Sequence, residues 1–575
     1  MLTLEQKINE KFFNIFQKLG FDTKFAITKV SDRPDLSDFQ CNGALALAKS
    51  EHKNPREIAG TIVDELQNDK DFSKISIDGP GFINVSLTDE FLNQNINEIS
   101  ADERFGVQKE ENPHTVVMDY GGPNAAKAMH VGHLRSGVIG EALKRIEKFV
   151  GNKVIADVHL GDWGTQMGMI ISEILAHDGD LSKVEGYNID EITAFYKAAN
   201  IRCKEDEKAK EYAGKITAEL QAGNPDYRKA WKHLREESVK AIKKNYDALG
   251  VDFDLWLGES DAHETCGKIV ELAKESKVAE LDDGALILRL KETNKPKPPV
   301  IMVKTDGGFG YQLTDIATIK MRVDDLDAKE IVYVTDARQA LHFEQVFEAA
   351  EILGIAPNVN LKHIEFGTVN GADGKPFKTR DGGVMNLEDL IEMSKDKVRE
   401  SMPAPDENYS AEYIENLVNQ IAVAAIKFQD LKNNIASGYV FNLEDFAKFD
   451  GKTGPYIQYA IARINSVLRK AEEKGLKSGK IVISNAEERN LVLKIAQLNA
   501  AIMRAHSEKE PSIISEYVYA LAQLFSVFYN ASPILSEENT ELSASRMSIA
   551  KLCRGIMVLL LDLLGIEAPE VMLKA

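Results

Sequence analysis

His130-Val131-Gly132-His133 stands where a short apolar run, Val116-Val117-Met118-Asp119-Tyr120, gives way to a long amphipathic segment. Downstream, Leu134, Val138, Ile139, Ala142, Leu143, Ile146 and Phe149 recur at helical spacing. Two imidazoles and a glycine are therefore expected at a strand-to-helix turn. The first amides of a helix lack backbone partners and its dipole favours an anion there. Such a turn suits the phosphates of a nucleotide. Gly151-Asn152 closes the helix and Val154 to Leu160 reads as the next strand. A β-α-β unit of this kind implies a parallel sheet with a right-handed crossover. The expected fold class is α/β, built on a Rossmann-type sheet.

Outward from this unit the chain divides into three expected parts. Residues 1–105 read as a compact α+β unit. Leu4 to Leu19 is an amphipathic helix ending at Gly20, Asn54-Pro55 opens another, and Gly79-Pro80-Gly81 turns into the strand Phe82–Leu87. Residues 106–404 hold the sheet, interrupted by a charged helical insertion at about 171–280, whose charge reads as solvated helix faces. Strand patterns return at Ala285–Leu290, Val300–Lys304 and Ile331–Thr335. Residues 405–575 read as helical throughout, over Glu412–Leu431, Ile457–Glu473, Glu487–Arg504, Ile513–Tyr529 and Ser545–Leu564. No internal repeat or low-complexity tract interrupts this order.

At 575 residues the chain is too long for one core. Its net charge of −20 means that a polyanion must meet a local basic patch, not a basic protein. The four cysteines, Cys41, Cys203, Cys266 and Cys553, are far apart, so no structural zinc site is expected. Free thiols and the lack of a secretory signal point to the cytoplasm. The apolar run Ile556–Leu561 is broken by Asp562 and is too short to span a bilayer, so no membrane association is expected.

Ligands in such sheets bind at the carboxyl ends of the strands. Asp119, Tyr120, Gly121, Gly122, Pro123 and Asn124 lie just past the first strand, followed by Lys127, His130 and His133. Each alone reads as a turn or a cap; together they place a carboxylate, an amide, an ammonium and two imidazoles in one crevice. His159-Leu160-Gly161-Asp162-Trp163-Gly164-Thr165-Gln166 ends the second strand with glycines around a tight bend. Tyr311 and Asp315 are four residues apart behind Asp306–Gly310, so a helix starting there puts both on one side. A buried carboxylate needs a cation, from a ligand or a side chain. Asp336 reads as a cap, with Gln339, His342 and Phe343 at the adjoining helix start. Gly371 to Gly383 is a glycine-framed basic loop whose Lys375, Lys378 and Arg380 suit phosphate contacts.

These strings resemble class I aminoacyl-tRNA synthetases. His130-Val-Gly-His133 resembles the HIGH signature and Phe377-Lys378-Thr379-Arg380 a degenerate KMSKS loop. The stretches Asp119 to Ser136, His159 to Gln166, Tyr311 to Ala317 and Asp336 to Phe343 are similar to the arginyl-tRNA synthetase pattern. Gly454-Pro455-Tyr456-Ile457-Gln458-Tyr459 resembles the start of that family's tRNA-binding helical domain, and Gly81-Phe82-Ile83-Asn84 its amino-terminal domain. Three features depart from the pattern. Gly121-Gly122 replaces a frequent serine pair, Thr379-Arg380 lacks the final lysine of the loop, and the chain runs slightly past the usual terminal methionine. Lys127 occupies the place of a lysine thought to compensate for the missing one.

The resemblance implies two steps. L-Arginine's carboxylate attacks the α-phosphate of ATP, and the arginyl group then passes to the 3′ adenosine of tRNA(Arg). His130 and His133 would donate to the α-phosphate and Gly132 would admit adenine. Lys127, Lys375, Lys378 and Arg380 would face the phosphates of ATP, which brings Mg²⁺ with it. Asp119, Asn124, His130, Tyr311, Asp315 and Gln339 would bind arginine, with Asp315 and Tyr311 on the guanidinium. Lys448, Lys452, Tyr456 and Tyr459 would meet tRNA, and residues 1–105 its core. No protein metal site is implied, and a monomer is expected. Two other readings stay open from the residues: an HxGH nucleotidyltransferase acting on a small metabolite without RNA, and a synthetase-like RNA-binding protein that has lost catalysis. A cysteinyl-type synthetase would need zinc-binding cysteines near the site, which are absent from the sequence.

Overall fold

A computed structural model describes residues 2–291, 296–371, 374, 385–402, 409–442 and 448–572. The first helix, α1 (Leu4–Leu19), is set by its ends. The Thr3 hydroxyl accepts from the Gln6 amide, the Gln6 side chain returns a bond to the Thr3 amide, and Gly20 closes it in the left-handed conformation. Strands β1 (Thr28–Val30) and β2 (Phe39–Cys41), helices α2 (Gly43–Glu51) and α3 (Pro55–Leu66), and strands β3 (Phe72–Asp78) and β4 (Phe82–Leu87) follow. They form an antiparallel sheet in the order β1-β2-β4-β3. Helix α4 (Asp89–Ala101), capped by Thr88, leads out of it.

The central sheet begins with β5 (Thr115–Tyr120), α5 (Val131–Val150) and β6 (Lys153–Asp157). After the insertion it resumes with β10 (Glu330–Asp336), α12 (Ala340–Ile352) and β11 (Asn360–Phe366). All four strands are parallel, in the order β11-β10-β5-β6. Strand β11 carries lysine, histidine and glutamate in a half-exposed edge position, so it lacks the apolar run that marks β5 in the sequence. The segment Asp254–Gly258 lies beside the end of β6, bridging Leu255 to Asp157 and Gly258 to Leu160 in parallel.

The interruption consists of α6 (Thr165–Asp178), α7 (Ile189–Glu205), α8 (Glu207–Gln221), α9 (Pro225–Ala248), α10 (His263–Glu275), the strands β7 (Ala279–Asp282), β8 (Ala285–Leu288) and β9 (Val300–Val303), and α11 (Tyr311–Leu326). The sequence patterns at Ala285–Leu290 and Val300–Lys304 belong to a separate antiparallel sheet, β7-β8-β9, not to the parallel one.

Beyond β12 (Val369–Asn370) come α13 (Leu387–Ser401), α14 (Ala411–Leu431) and β13 (Tyr439–Val440), which pairs with β12. Then follow α15 (Gly454–Glu473), α16 (Ala486–Ala496), α17 (Leu498–Glu508), α18 (Ser512–Ala531) and α19 (Thr540–Leu563). The single amphipathic pattern Glu487–Arg504 is therefore two helices meeting at Gln497. Among the described residues no helix is long and apolar enough to cross a membrane. The four cysteines are buried and unpaired.

Candidate active site

The two histidines cap α5 reciprocally. The His130 Nδ1 accepts the Gly132 amide at 3.0 Å, and the His133 Nδ1 accepts the His130 amide at 3.1 Å. The rings stack with centroids 4.0 Å apart. Because each Nδ1 is an acceptor, the neutral ring carries its proton on Nε2. Burial, and then the neighbouring His130 and Lys127, push the His133 pKa down to about 3. Burial also lowers that of His130, against the opposing pull of its backbone bond and with help from Lys127 and Arg338. The sequence thus builds two uncharged Nε2–H donors at an electropositive helix start.

The turn before them is tight. Gly121 has φ +90°, and a Cβ there would meet the Tyr246 hydroxyl at 2.7 Å. A serine in this position would be both strained and obstructed. The Gly121 amide instead donates to the Ser136 hydroxyl at 2.7 Å, which donates to the Val334 carbonyl at 2.6 Å and ties the turn to β10. Asn124 bridges Gly161, bringing the two strand-end loops together. Lys127 is half-buried with its Nζ 5.0 Å from the centre of the Tyr196 ring.

A cavity of about 240 Å³ opens beside this turn, lined by His130, Gly132, Arg135, Asp336, Phe366 and Val369. The Met385 carbonyl accepts the Val131 amide and the Leu387 amide donates to the Met129 carbonyl, so the chain re-enters at the same turn. Lys375, Lys378 and Arg380 lie in the intervening sequence, outside the described residues.

The two acids singled out by the sequence have different partners. Asp119 is buried, and the Arg322 Nη2 donates to it at 2.6 Å and to Asp157 at 2.7 Å. Asp119 and Asp157 are register partners on β5 and β6, so one guanidinium holds two adjacent carboxylates. Burial raises the Asp119 pKa against the opposing Arg322 charge; burial pushes Asp157 up as well, but Arg322 and His159 outweigh it and the net shift there is downward. Asp315 meets the Nε2 of His342 at 2.7 Å instead. Tyr311 and Asp315 share one side of α11 as their spacing predicts, with the Tyr311 ring stacked on His342 at 4.8 Å. Glu259 lies close enough that Asp315 and Asp162 add to the burial that raises its pKa, while His159 opposes it. Glu259, Tyr311, Gln166, His263 and Lys304 line a second cavity of about 610 Å³. Gln339 is exposed in the turn Ala337–Gln339, which Asp336 caps.

Among the described residues, several polar atoms around this crevice are buried without a hydrogen-bond partner: both ring nitrogens of His159, Nδ1 of His342, Nε and Nη1 of Arg322, and the Tyr333 hydroxyl. His159 also holds a left-handed backbone with φ +40°. Such a cluster of unmet donors and acceptors marks a place made for a polar ligand. Arg322, Glu259 and the Asp315–His342 contact carry no local signal in the sequence, because each depends on elements more than twenty residues apart.

In the helical part, Lys448 and Lys452 line one cavity of about 570 Å³ with Lys432. Lys452 is paired with Glu516. Tyr456, in the first turn of α15, packs edge-on against Tyr519 at 5.7 Å, and Tyr459 is half-buried on the same helix. Among the described residues no group of three or more histidine, cysteine or acidic side chains could hold a metal ion.

Known families match along the length of the chain. The model described as "tRNA synthetases class I (R), catalytic domain" matches residues 95–443. "Arginyl tRNA synthetase N terminal domain" matches 2–87, and "DALR anticodon binding domain" matches 457–572. The arginine–tRNA ligase of Alkaliphilus oremlandii is 44% identical over 100% of both chains. That of Hyphomonas neptunium is 44% identical over 99% of this chain and 100% of its own. The crystal structure of the Plasmodium falciparum arginyl-tRNA synthetase superposes with a TM-score of 0.84 at 27% identity, covering 100% of each chain. The Thermus thermophilus arginyl-tRNA synthetase has the same fold, with a TM-score of 0.80 at 22% identity over 99% of this chain and 100% of its own.

Proposed function

The chain belongs to the class I arginyl-tRNA synthetase family, and we propose how its crevice divides that family's work. The activity is that of an arginine–tRNA ligase: ATP activates L-arginine to arginyl-adenylate, and the arginyl group passes to the 3′ adenosine of tRNA(Arg). The chemistry relies on positioning and on stabilising charge as it develops. His130 and His133 donate from Nε2 to the α-phosphate oxygens, where negative charge grows as arginine's carboxylate attacks. Their neutrality lets them donate without binding the ground-state triphosphate too tightly. Gly132 presents bare backbone to adenine in the smaller cavity. Lys127, with Lys375, Lys378 and Arg380, neutralises the departing pyrophosphate. Mg²⁺ would accompany ATP.

Asp315 and Tyr311 receive the guanidinium, with Glu259 as a second acid facing the same pocket. Asn124 and Gln339 bind the α-amino and carboxylate end. Asp119 acts there through the electrostatics of its pair with Arg322. In this reading residues 1–105 meet the tRNA core, 106–404 hold the chemistry, and 405–575 meet the anticodon, with Lys448, Lys452, Tyr456 and Tyr459 on that face. The working form is a cytoplasmic monomer.

The observation that carries the arginine assignment is Asp315, a carboxylate whose only ion-pair partner among the described residues is a histidine. The test is ATP–pyrophosphate exchange with each amino acid, with and without tRNA(Arg). Asp315→Asn is expected to lose arginine activation by about 3–5 kcal/mol while keeping the fold, because a charged partner is removed from a mostly buried pair. Near-normal arginine kinetics in that variant would sink the assignment.

A further inference from the structure

Asp119 and Asp315 are both carboxylates at the crevice, but among the described residues only Asp119 meets a guanidinium or ammonium. The Arg322 guanidinium lies 2.6 Å from Asp119 and is itself buried. Asp315 is held by an imidazole: His342 Nε2 is 2.7 Å from its Oδ2. For that contact to be a hydrogen bond the ring must carry its proton on Nε2. Adding a second proton would place an Nδ1–H at an atom that is buried and has no side-chain acceptor.

The other described groups packed against the ring are aromatic. Tyr311 from α11 stacks on it with an interplanar angle of 12°, and Phe343 meets it edge-on at 5.1 Å. The pKa of His363 from β11 is pushed down to about 4 by burial first and then by the neighbouring His342. Asp315 is thus oriented through one oxygen by a ring nitrogen.

A carboxylate's terminal torsion is broad and is fixed only by what its oxygens touch. A planar guanidinium needs a carboxylate whose plane is already set, whereas an ammonium does not. We propose that His342 is a positioning residue for arginine: its Nε2–H fixes the plane of Asp315 through one oxygen without cancelling the carboxylate's charge, and its ring holds the Tyr311 phenol at the same pocket. The proposal rests on the reading of Asp315 as the guanidinium's partner. It also explains why a lysine or arginine would not serve at position 342. Either would hold Asp315 equally well and discharge it, as Arg322 does for Asp119.

The test uses the full chain in tRNA-supplemented ATP–pyrophosphate exchange, varying arginine and ATP separately. His342→Phe keeps a ring for Tyr311 and removes the donor. His342→Gln keeps an uncharged donor, and His342→Lys supplies a charged one. A hydrogen bond to a charged group is worth about tenfold to a hundredfold in binding. The Phe and Lys variants are therefore expected to raise the arginine KM by at least about tenfold while the ATP KM stays within about twofold. The Gln variant is expected to restore most of the loss. Should the Phe variant fail to fold, the Gln and Lys pair still decides, because both keep a donor and differ in charge. An unchanged arginine KM in the Phe or Lys variant overturns the proposal, as does an equal rise of both KM values. Asp315→Asn run alongside separates the two claims. Normal arginine kinetics there refute the underlying pocket reading, whereas a loss there with wild-type kinetics in all His342 variants refutes this proposal alone.

Discussion

Replacing Arg322 by glutamine would leave Asp119 and Asp157 side by side on adjacent strands with no cation between them. Both are buried, at 6% and 1% exposure, and they are direct register partners. Two adjacent buried anions are not tolerated, so one carboxyl should take up a proton at neutral pH. Protonating a carboxyl of ordinary pKa 3.9 at pH 7 costs about 1.4 kcal/mol per unit, or about 4 kcal/mol. That agrees with the 3–5 kcal/mol typical of breaking a buried pair. The sign of the pH dependence follows. Between about pH 5 and 7 the native variant binds one proton that the unfolded chain does not. Its stability therefore falls by about 1.4 kcal/mol per unit as pH rises, relative to the parent. All three tryptophans, Trp163, Trp231 and Trp256, lie in the central module, so urea unfolding followed by their fluorescence reports on it. Arg322→Gln should lose about 4 kcal/mol at pH 7 and about 2 kcal/mol near pH 5.5, and adding Asp157→Asn should restore most of the loss. A loss under about 1 kcal/mol, or one flat across that pH range, would refute the view that Arg322 serves as the counter-charge to both acids.

Two other groups give pH-dependent outcomes. Lys427 is fully buried, where its Nζ donates to the Gly565 carbonyl at 2.6 Å, and burial lowers its pKa to about 7. Between about pH 7 and 10.5 the unfolded chain holds a proton that the native chain lacks, so this site adds stability as pH rises through that window. Lys427→Met should abolish that gain, up to about 1.4 kcal/mol per unit, and parallel pH–stability curves for the two proteins would contradict it. His133, with its pKa pushed down to about 3, should stay neutral throughout the physiological range. Single-turnover adenylate formation should therefore show no acid limb near 6.5 from this residue. His133→Ala should slow it by about 10²–10³-fold, as for loss of one oxyanion donor. An acid limb near 6.5 that disappears in His133→Gln would count against the neutral-donor role.

Local periodicity made much of the scaffold readable. The helix from Leu4 to Gly20 carries its cap, its apolar face and its terminator within one segment. The β5–α5–β6 unit is equally local, and the four-residue spacing of Tyr311 and Asp315 placed them on one helix side. What the sequence hid has three physical causes. Strand β11 is an edge strand whose Lys362, His363 and Glu365 break the apolar signal. The bend at Gln497 has neither glycine nor proline to announce it, so α16 and α17 read as one helix. The charges that define the pocket are long-range: Arg322 reaches back 203 residues to Asp119, and His342 reaches 27 to Asp315. A sequence shows that a buried acid needs a cation, but not whether the chain or the substrate supplies it. Asp119 meets the Arg322 guanidinium and Asp315 an imidazole, and neither pairing has a local signature.

The same long-range pairing bears on how the histidine turn is aimed. Its helix, α5, is bound along its length to the carboxyl-terminal helices by charged groups. Arg135 donates to Asp430 of α14 and to the carbonyls of Gly367 and Ser437. Arg145 pairs with Asp562 of α19 at 2.7 Å, and Glu147 receives Lys509 at 2.5 Å and His506 at 2.8 Å. Buried ion pairs contribute little net stability, since desolvation offsets most of their attraction. They do penalise every other arrangement, because a displaced helix leaves an unpaired buried charge. The direction of the His130 and His133 Nε2–H groups is therefore set from two sides: by the sheet, through the Ser136 hydroxyl on Val334, and by the helical domain, through α5. Gly367 adds a direct link, since it borders the cavity beside His130 while its carbonyl is held by Arg135. In this chain the cavity beside His130 and the carboxyl-terminal helix α14 are joined through Arg135.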